Sequence, residues 1–271
     1  MELFDRQGLL EATKLSPRKL EMLLFLLKAP ELTRIFNQLP AHSRQGLDLI
    51  EATLNYLNIR IEFDEKALRA AIPVEGPFIT VSNHPFGFLD GVTLLLAIGR
   101  IRPDFRVVAN FLLSYFAPIS DLFITVNPFE SRGPKGMGGM RKSLAQLNAG
   151  YGLGLFPAGE VSTRYKGQST ITDKEWSISS MRLIRKASVP VVPVYFDGHN
   201  SRSFHLLGKL HPSLRTLRIP AEFLKKRNSV IRLGVGPAIT PAEMDAYKSD
   251  EELRYFLREQ TYSHQQKLRK S

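Results

Sequence analysis

From residue 77 onward the chain alternates short apolar runs with stretches of helical pattern, and this alternation restricts the folds that it can adopt. The runs are rich in β-branched and aromatic residues and end near Gly, Pro or Asn, as strands do: PFITVSN, FRVVAN, LFITV, GLGLFPAG, VPVVPVYFDG and VIRLGVG. Helical patterns lie between them at residues 90–99, 140–147 and 178–186. Buried strands connected through helices predict an α/β fold with a largely parallel sheet flanked by helices. Ligands of such sheets bind beyond the carboxyl ends of the strands.

The N-terminal part of the chain has a different, mainly helical pattern. The Ser-Pro pair at residues 16–17 is a helix start, and apolar side chains then cover nearly every side of the predicted helix as far as a break at Pro30. A second amphipathic helix is predicted over residues 46–57. We expect the first helix both to pack on its neighbour and to lie against lipid. The predicted organisation is a helical, membrane-facing segment at residues 1–62 and an α/β domain at residues 63–271.

The chain has no cysteine, which excludes disulfides, thiolate metal ligands and cysteine nucleophiles. Its N-terminus mixes acidic and basic side chains and lacks the apolar core of a secretory signal. The longest apolar runs, residues 22–27 and 92–98, are shorter than the roughly 18 residues that span a bilayer. We therefore expect no signal peptide and no transmembrane helix.

The charge of the chain is strongly positive and unevenly distributed. The formal net charge is +11, and residues 202–232 hold eight Lys or Arg against the single acid Glu222. Such a segment attracts nucleic acid, an anionic membrane leaflet or an acidic carrier protein, although a solvated basic surface would look the same. No helix-turn-helix, zinc-finger or RNP-like aromatic motif accompanies the charge, so nucleic acid is not an expected partner.

The stretch SNHPFGFLDG places His84 directly after the first predicted strand and Asp90 at the start of the next helix. A tight turn between them allows the carboxylate to reach the imidazole, fix its tautomer and support its protonated form. The chain has no GxSxG motif and no cysteine, so the nucleophile of this partial triad would be a substrate hydroxyl. The alternative is that Asn83 and Asp90 are turn and cap residues around a buried histidine.

Two glycine-containing stretches could bind an anion. LFPAGEVSTR, residues 155–164, follows a predicted strand, and its backbone N–H groups and Arg164 could hold a phosphate, carboxylate or oxyanion. NPFESRGPKGMGGMRKS, residues 127–143, is glycine-rich and basic, with Arg132 among its cations. The glycines of this second stretch do not have the spacing of a P-loop, so a nucleotide-binding fold is disfavoured.

Taken in order, these segments resemble the four blocks of the glycerolipid acyltransferases of the lysophosphatidic acid acyltransferase type. The counterparts are NHPFGFLD, the LFITVNPFESR region, FPAGEVS and VPVVPVYFDG, and together they cover roughly residues 77–198. Five residues separate His84 from Asp90 where the family usually has four, an HX5D motif. Ala158-Gly159-Glu160 stands where Glu-Gly-Thr is commoner. This variant is similar to the hemolysin-like branch, which includes bacterial lyso-ornithine lipid O-acyltransferases.

The resemblance implies a membrane-associated O-acyltransferase of membrane lipid biosynthesis. Such an enzyme moves an acyl chain from acyl-ACP or acyl-CoA to the free hydroxyl of lysophosphatidic acid or lyso-ornithine lipid. His84 would be the general base and Asp90 its orienting partner, without an acyl-enzyme and without a metal or prosthetic cofactor. The substrate-binding residues would be Asn83, Gly87, Arg132, Gly159, Glu160 and Arg164.

A lysolipid acceptor implies a peripheral position on the cytoplasmic side of an anionic membrane. The apolar N-terminal helix would insert shallowly while the basic segment contacts head groups, and acyl carrier protein or a CoA thioester would be the second partner. The alternative is a catalytically inactive lipid- or acyl-carrier-binding protein on the same fold. The sequence hint for that alternative is the extra residue between His84 and Asp90.

Overall fold

A seven-stranded sheet is the centre of the structure, a computed structural model that describes residues 3–126, 138–165, 168, 170–210 and 212–268. The strands are β1 (Arg60–Glu62), β2 (Phe78–Ser82), β3 (Arg106–Asn110), β4 (Phe123–Val126), β5 (Gly152–Leu155), β6 (Val191–Asp197) and β7 (Val230–Val235). Their order is β1-β7-β6-β2-β5-β3-β4, and each neighbouring pair is parallel except β6 with β7. The predicted α/β fold with a largely parallel sheet is confirmed.

Helices precede, connect and follow these strands. The N-terminal helices are α1 (Arg6–Thr13), α2 (Pro17–Leu26), α3 (Ala29–Gln38) and α4 (Gly46–Tyr56). The later helices are α5 (Glu65–Ala71), α6 (Phe88–Gly99), α7 (Gly138–Asn148), α8 (Ile178–Ala187), α9 (Arg202–Leu210), α10 (Pro212–Lys225), α11 (Pro241–Met244) and α12 (Asp250–Leu268). The break predicted at Pro30 falls at Lys28, whose φ is 59°, and Pro30 then occupies the first turn of α3.

Helices cover both faces of the sheet. On one face Phe78 of β2 shares a hydrophobic core with Leu94 of α6 and with Ile35 and Leu49 from the N-terminal helices. On the other face Ile79 belongs to a second core, which includes side chains of α8 and α12. Helices α3 and α4 therefore pack on the sheet, while side chains of α1 and α2 form a separate hydrophobic cluster. Within the predicted N-terminal segment β1 pairs with β7. None of the described helices has the length and hydrophobicity that a membrane span requires.

Glycines in β5 make room for aromatic side chains. The rings of Phe78 and Phe105 stack with their centroids 5.7 Å apart. A Cβ atom on Gly152 would lie 2.5 Å from the Phe78 ring, and one on Gly154 would lie 2.9 Å from the Phe105 ring. The glycines thus leave the space that these two stacked rings occupy.

The register of the central strands brings distant segments together. Val81 of β2 pairs with Leu155 of β5, and Ser82 pairs with Val194 of β6. All three strands run in the same direction. The chain segments that follow these strands therefore emerge at the same edge of the sheet, where parallel sheets bind their ligands.

Candidate active site

The turn between β2 and α6 is built around Asp90. Its Oδ2 accepts hydrogen bonds from the main-chain N–H groups of Phe86 and Gly87, each at 2.8 Å. Gly87 has a φ of 84°, and a side chain there would lie 3.1 Å from Ile219 and from Val161. Glycine therefore suits this position because the φ angle is positive and because a side chain would be crowded by its neighbours.

The same turn brings His84 to Asp90. Nδ1 of His84 lies 2.9 Å from Oδ2 of Asp90, at ion-pair distance, although its N–H is not aligned well enough for a regular hydrogen bond. The Asp90 side chain is fully buried and the His84 side chain is 18% exposed. The imidazole also stacks on Phe156, with 4.2 Å between the ring centroids. Catalytic contacts are often loose before substrate binds, so this geometry suits a base and its orienting partner.

Burial raises the pKa of Asp90, while the His84 contact and the N–H groups of Phe86 and Gly87 act in the opposite direction. Removal from water disfavours the charged carboxylate, and this effect is the larger one. A proton on His84 would offset this penalty by pairing with Asp90. With Nδ1 turned toward Asp90, Nε2 is the ring nitrogen left to accept a proton. Asp90 thus caps the start of helix α6, as the alternative interpretation expected, and it also contacts His84.

A cavity of about 590 Å³ adjoins the pair, and most of the residues that line it are apolar. Its wall includes side chains of α3, α4, α6 and α10 and the ends of several strands. His84, Gly87, Gly159 and Glu160 all line it. Among the described lining residues the charged side chains are those of Glu160 and Arg215. The cavity therefore combines a long apolar wall with a small polar region.

Glu160 and Arg215 form the charged part of this cavity. Arg215 Nη2 donates to Glu160 Oε2 at 3.0 Å, and the Tyr165 hydroxyl donates to Oε1 at 2.9 Å. Arg215 is 7% exposed. The sequence predicts a basic surface that includes Arg215, but Ile219 and Phe223 follow it at four-residue intervals and line the same cavity. That helical spacing was the signal that Arg215 points inward.

The other predicted substrate-binding residues occupy different positions. Asn83 is buried, and its amide bonds the main chain of Phe196 in both directions, at 2.7 and 2.9 Å. Gly159 has a φ of 68° and no atom within 4 Å of where a side chain would project. Arg164 is exposed and does not line the cavity. Arg132 lies outside the described residues. The structure thus brings His84, Gly87, Gly159 and Glu160 together, with Asn83 behind them.

Metal and cofactor sites were not predicted. Among the residues that the structure describes, no group of three or more His, Asp or Glu side chains is arranged to hold a metal ion. That the protein works without a cofactor stays a prediction.

Known proteins with similar sequences and folds are acyltransferases. A model of the acyltransferase family matches residues 33–270. A lyso-glycine lipid O-acyltransferase of Phocaeicola vulgatus is 28% identical over 231 residues, which cover 81% of this chain and 78% of that protein. A lyso-glycine lipid O-acyltransferase of Bacteroides thetaiotaomicron is 28% identical over 221 residues, covering 76% and 78%. The crystal structure of the 1-acyl-sn-glycerophosphate (LPA) acyltransferase PlsC from Thermotoga maritima matches with a TM-score of 0.50 and 18% identity, covering 98% of this chain and 90% of that one.

Proposed function

This chain belongs to the acyltransferase family and is an acyltransferase, and we propose that its acceptor is a lysolipid and its donor an acyl thioester, acyl-ACP or acyl-CoA. The observation that carries the proposal is the contact of His84 with the buried Asp90 in the wall of a large, mainly apolar cavity. A base beside an apolar cavity suits a substrate that has both a hydroxyl group and a fatty chain. The names of the two lyso-glycine lipid O-acyltransferases support an acceptor of this class.

In the proposed reaction the acceptor hydroxyl is the nucleophile. Nε2 of His84 takes the hydroxyl proton as the oxygen attacks the thioester carbonyl, and the carbon–sulfur bond then breaks. The leaving thiolate receives the proton from His84, so an ester and a thiol are the products. Asp90 orients the ring and stabilises the imidazolium that forms between the two proton transfers. No group of the protein becomes acylated.

The cavity is suited to an acyl chain. Its volume of about 590 Å³ is within the roughly 300–1,000 Å³ that ligand pockets occupy. Phe88, Val92 and Phe116 supply part of an apolar wall that extends from His84 to the N-terminal helices. Burying methylene groups there contributes about 0.8 kcal/mol each, so this wall would supply most of the binding energy.

The polar region of the cavity would hold the acceptor head group. Arg215 supplies a fixed cation whose planar guanidinium matches a carboxylate or a phosphate. Glu160 holds Arg215 and can accept a hydrogen bond from an acceptor hydroxyl or amine. We include lysophosphatidic acid, lyso-glycine lipid and lyso-ornithine lipid among the candidates because each carries an acidic group.

We further propose that α2 contacts the membrane that holds the acceptor. Met22, Phe25 and Leu26 on this helix are 61%, 68% and 49% exposed. Basic side chains, Arg18 and Lys19, are exposed on the same helix. Apolar residues with flanking cations are typical of helices that lie in the membrane interface. Helix α2 ends at Leu26, and the next residue, Leu27, lines the cavity.

Part of the basic segment at residues 202–232 is engaged within the protein. The Nζ atom of Lys225 donates to Glu222 at 2.8 Å. The Nζ atom of Lys226 donates to the His199 carbonyl at 2.8 Å and lies 4.4 Å from the Phe86 ring centre. We therefore assign membrane insertion to α2 and leave the basic segment a supporting, electrostatic role.

A transfer assay tests the proposal. Labelled acyl-ACP and acyl-CoA are each offered with lyso-glycine lipid, lysophosphatidic acid and lyso-ornithine lipid in vesicles, with the His84→Ala variant in parallel. We expect acylation of at least one acceptor by the wild-type protein and none by the variant. Folded, vesicle-bound protein that acylates no acceptor from either donor would contradict the proposed acceptor class.

A further inference from the structure

Asp173, in the loop between β5 and α8, is a buried carboxylate that the sequence pattern does not distinguish. It is 3% exposed. Its Oδ1 accepts hydrogen bonds from the main-chain N–H of His84, at 3.1 Å, and from the Ser162 hydroxyl. Its Oδ2 accepts from the indole N–H of Trp176 at 2.9 Å. A buried carboxylate needs such donors, and both oxygens of Asp173 have them.

The main chain of His84 is held on both sides by the same loop. Its N–H donates to Asp173, and its carbonyl accepts the Ser162 N–H at 2.8 Å. Ser162 in turn donates its hydroxyl to Asp173, which closes the arrangement. The residue before His84, Asn83, is bonded in both directions to Phe196 of β6. The peptide that carries the imidazole cannot move without breaking several of these bonds.

Asp173 itself is firmly anchored. Its N–H donates to the hydroxyl of Tyr262 on α12, at 3.1 Å. Main-chain hydrogen bonds of 3.0 and 3.1 Å join Thr163 and Thr172 in both directions. Burial, together with the nearby charge of Asp173, raises the pKa of Tyr262 to about 12, so this phenol stays neutral. A rigid support of this kind can transmit a defined position to His84.

We propose that Asp173 is a positioning residue for His84: by fixing the His84 main chain, its carboxylate holds the imidazole between Asp90 and Phe156. The inference rests on the function proposed above, in which His84 is the base. The imidazole must keep Nδ1 at Asp90 and stay stacked on Phe156 while the substrate hydroxyl approaches. A misplacement of about 1 Å can lower catalysis by about a hundredfold.

Replacement of Asp173 by asparagine tests the role with little change in volume. Aspartate presents two acceptor oxygens, whereas an amide presents one oxygen and one NH₂ group. In Asp173→Asn the NH₂ group must face either the His84 N–H or the Trp176 indole N–H, and neither can accept a hydrogen bond. We expect turnover to fall roughly ten- to a hundredfold, with the KM for the acyl donor nearly unchanged.

A second substitution distinguishes positioning from a loss of packing. Trp176→Phe removes the indole donor and leaves the bond from His84 to Asp173 intact, so turnover should stay within about threefold of wild type. In the double variant, Asp173→Asn with Trp176→Phe, the amide can turn its NH₂ group toward the phenylalanine. Its oxygen can then accept from His84 and Ser162. We expect the double variant to regain the turnover of Trp176→Phe alone.

Thermal unfolding of each variant identifies any that do not fold. If Asp173→Asn does not melt cooperatively, Ser162→Ala is measured instead. That change removes the hydroxyl that holds Oδ1 of Asp173 toward His84, and unchanged turnover in this variant would overturn the inference. Wild-type turnover in folded Asp173→Asn, or a double variant no faster than Asp173→Asn, would also overturn it. Absence of transfer by the wild-type protein would instead contradict the proposed function.

Discussion

Nδ1 of His84 lies 2.9 Å from Oδ2 of Asp90, and that same oxygen accepts hydrogen bonds from the N–H groups of Phe86 and Gly87, directly before α6. One carboxylate oxygen therefore serves the helix cap and the imidazole together. The turn brings the pair into contact even though it holds five residues between the histidine and the aspartate. This proximity counts against the alternative of a protein that kept the fold and lost turnover.

We expect His84→Ala to abolish acyl transfer and to leave the fold intact. The side chain is partly exposed, lines the cavity and stacks on Phe156, and it does not belong to a hydrophobic core of the described residues. Transfer and thermal unfolding are measured together. His42→Ala is the matched control, since His42 is exposed and does not line the cavity, and it should behave like wild type. Loss of the cooperative melt in His84→Ala would show that the residue supports the fold instead.

Asp90→Asn should lower turnover by about 10²–10⁴, as expected when an orienting carboxylate is replaced by an amide. Asparagine keeps the volume of this fully buried side chain and can still accept from Phe86 and Gly87. The kinetic measurement is the turnover at saturating donor and acceptor. A variant within a few-fold of wild type would remove Asp90 from the mechanism.

The difference in stability between Asp90→Asn and the wild-type protein should depend on pH. Burial raises the pKa of Asp90, so the folded protein binds this proton more tightly than the unfolded chain does. The stability that Asp90 contributes is therefore complete below the unfolded pKa and decreases as pH rises toward the folded pKa. The amide that replaces this carboxyl does not titrate, so the free energy of unfolding of Asp90→Asn should rise relative to wild type between about pH 4 and about pH 7. Urea unfolding at both pH values measures this, and a constant difference would contradict it.

Arg215→Met should weaken acylation of acceptors with an acidic head group, because it removes the cation that lines the cavity. We expect a loss of about tenfold or more in kcat/KM, the factor that corresponds to one charge-assisted hydrogen bond. A neutral monoacylglycerol should be affected much less. Arg218→Met on the same helix is the control, because Arg218 does not line the cavity. Equal losses for acidic and neutral acceptors would contradict a head-group role.

Replacing Met22 and Phe25 together by serine should weaken binding to anionic vesicles. Both side chains are more than half exposed, so the change removes apolar surface without opening the core. Each contributes about 1.5–3 kcal/mol if fully inserted, so cosedimentation should fall clearly. Val74, which is 81% exposed in a loop, provides the control substitution Val74→Ser. Unchanged cosedimentation of the double variant would exclude α2 as the contact.

The sequence by itself was sufficient to predict the α/β class, the strands from β2 to β7 and the pairing of His84 with Asp90. Each of these depends on interactions between residues close in the chain. Strand and helix periodicity is a local pattern, and the contact of His84 with Asp90 lies within one turn. The short strand β1 was not predicted, because three residues are too few to show the alternation of a strand.

Only the tertiary structure decided which side chains surround that pair. Asp173 lies 89 residues from His84, and Glu160 meets Arg215 across 55 residues, so no local spacing connects them. The cations of the basic segment also have different surroundings in the folded protein. Arg215 lines the cavity, while Lys225 and Lys226 form hydrogen bonds with neighbouring residues. Such contacts depend on how helices pack on the sheet. That packing is the sum of many weak interactions between distant residues, and a short motif does not record it.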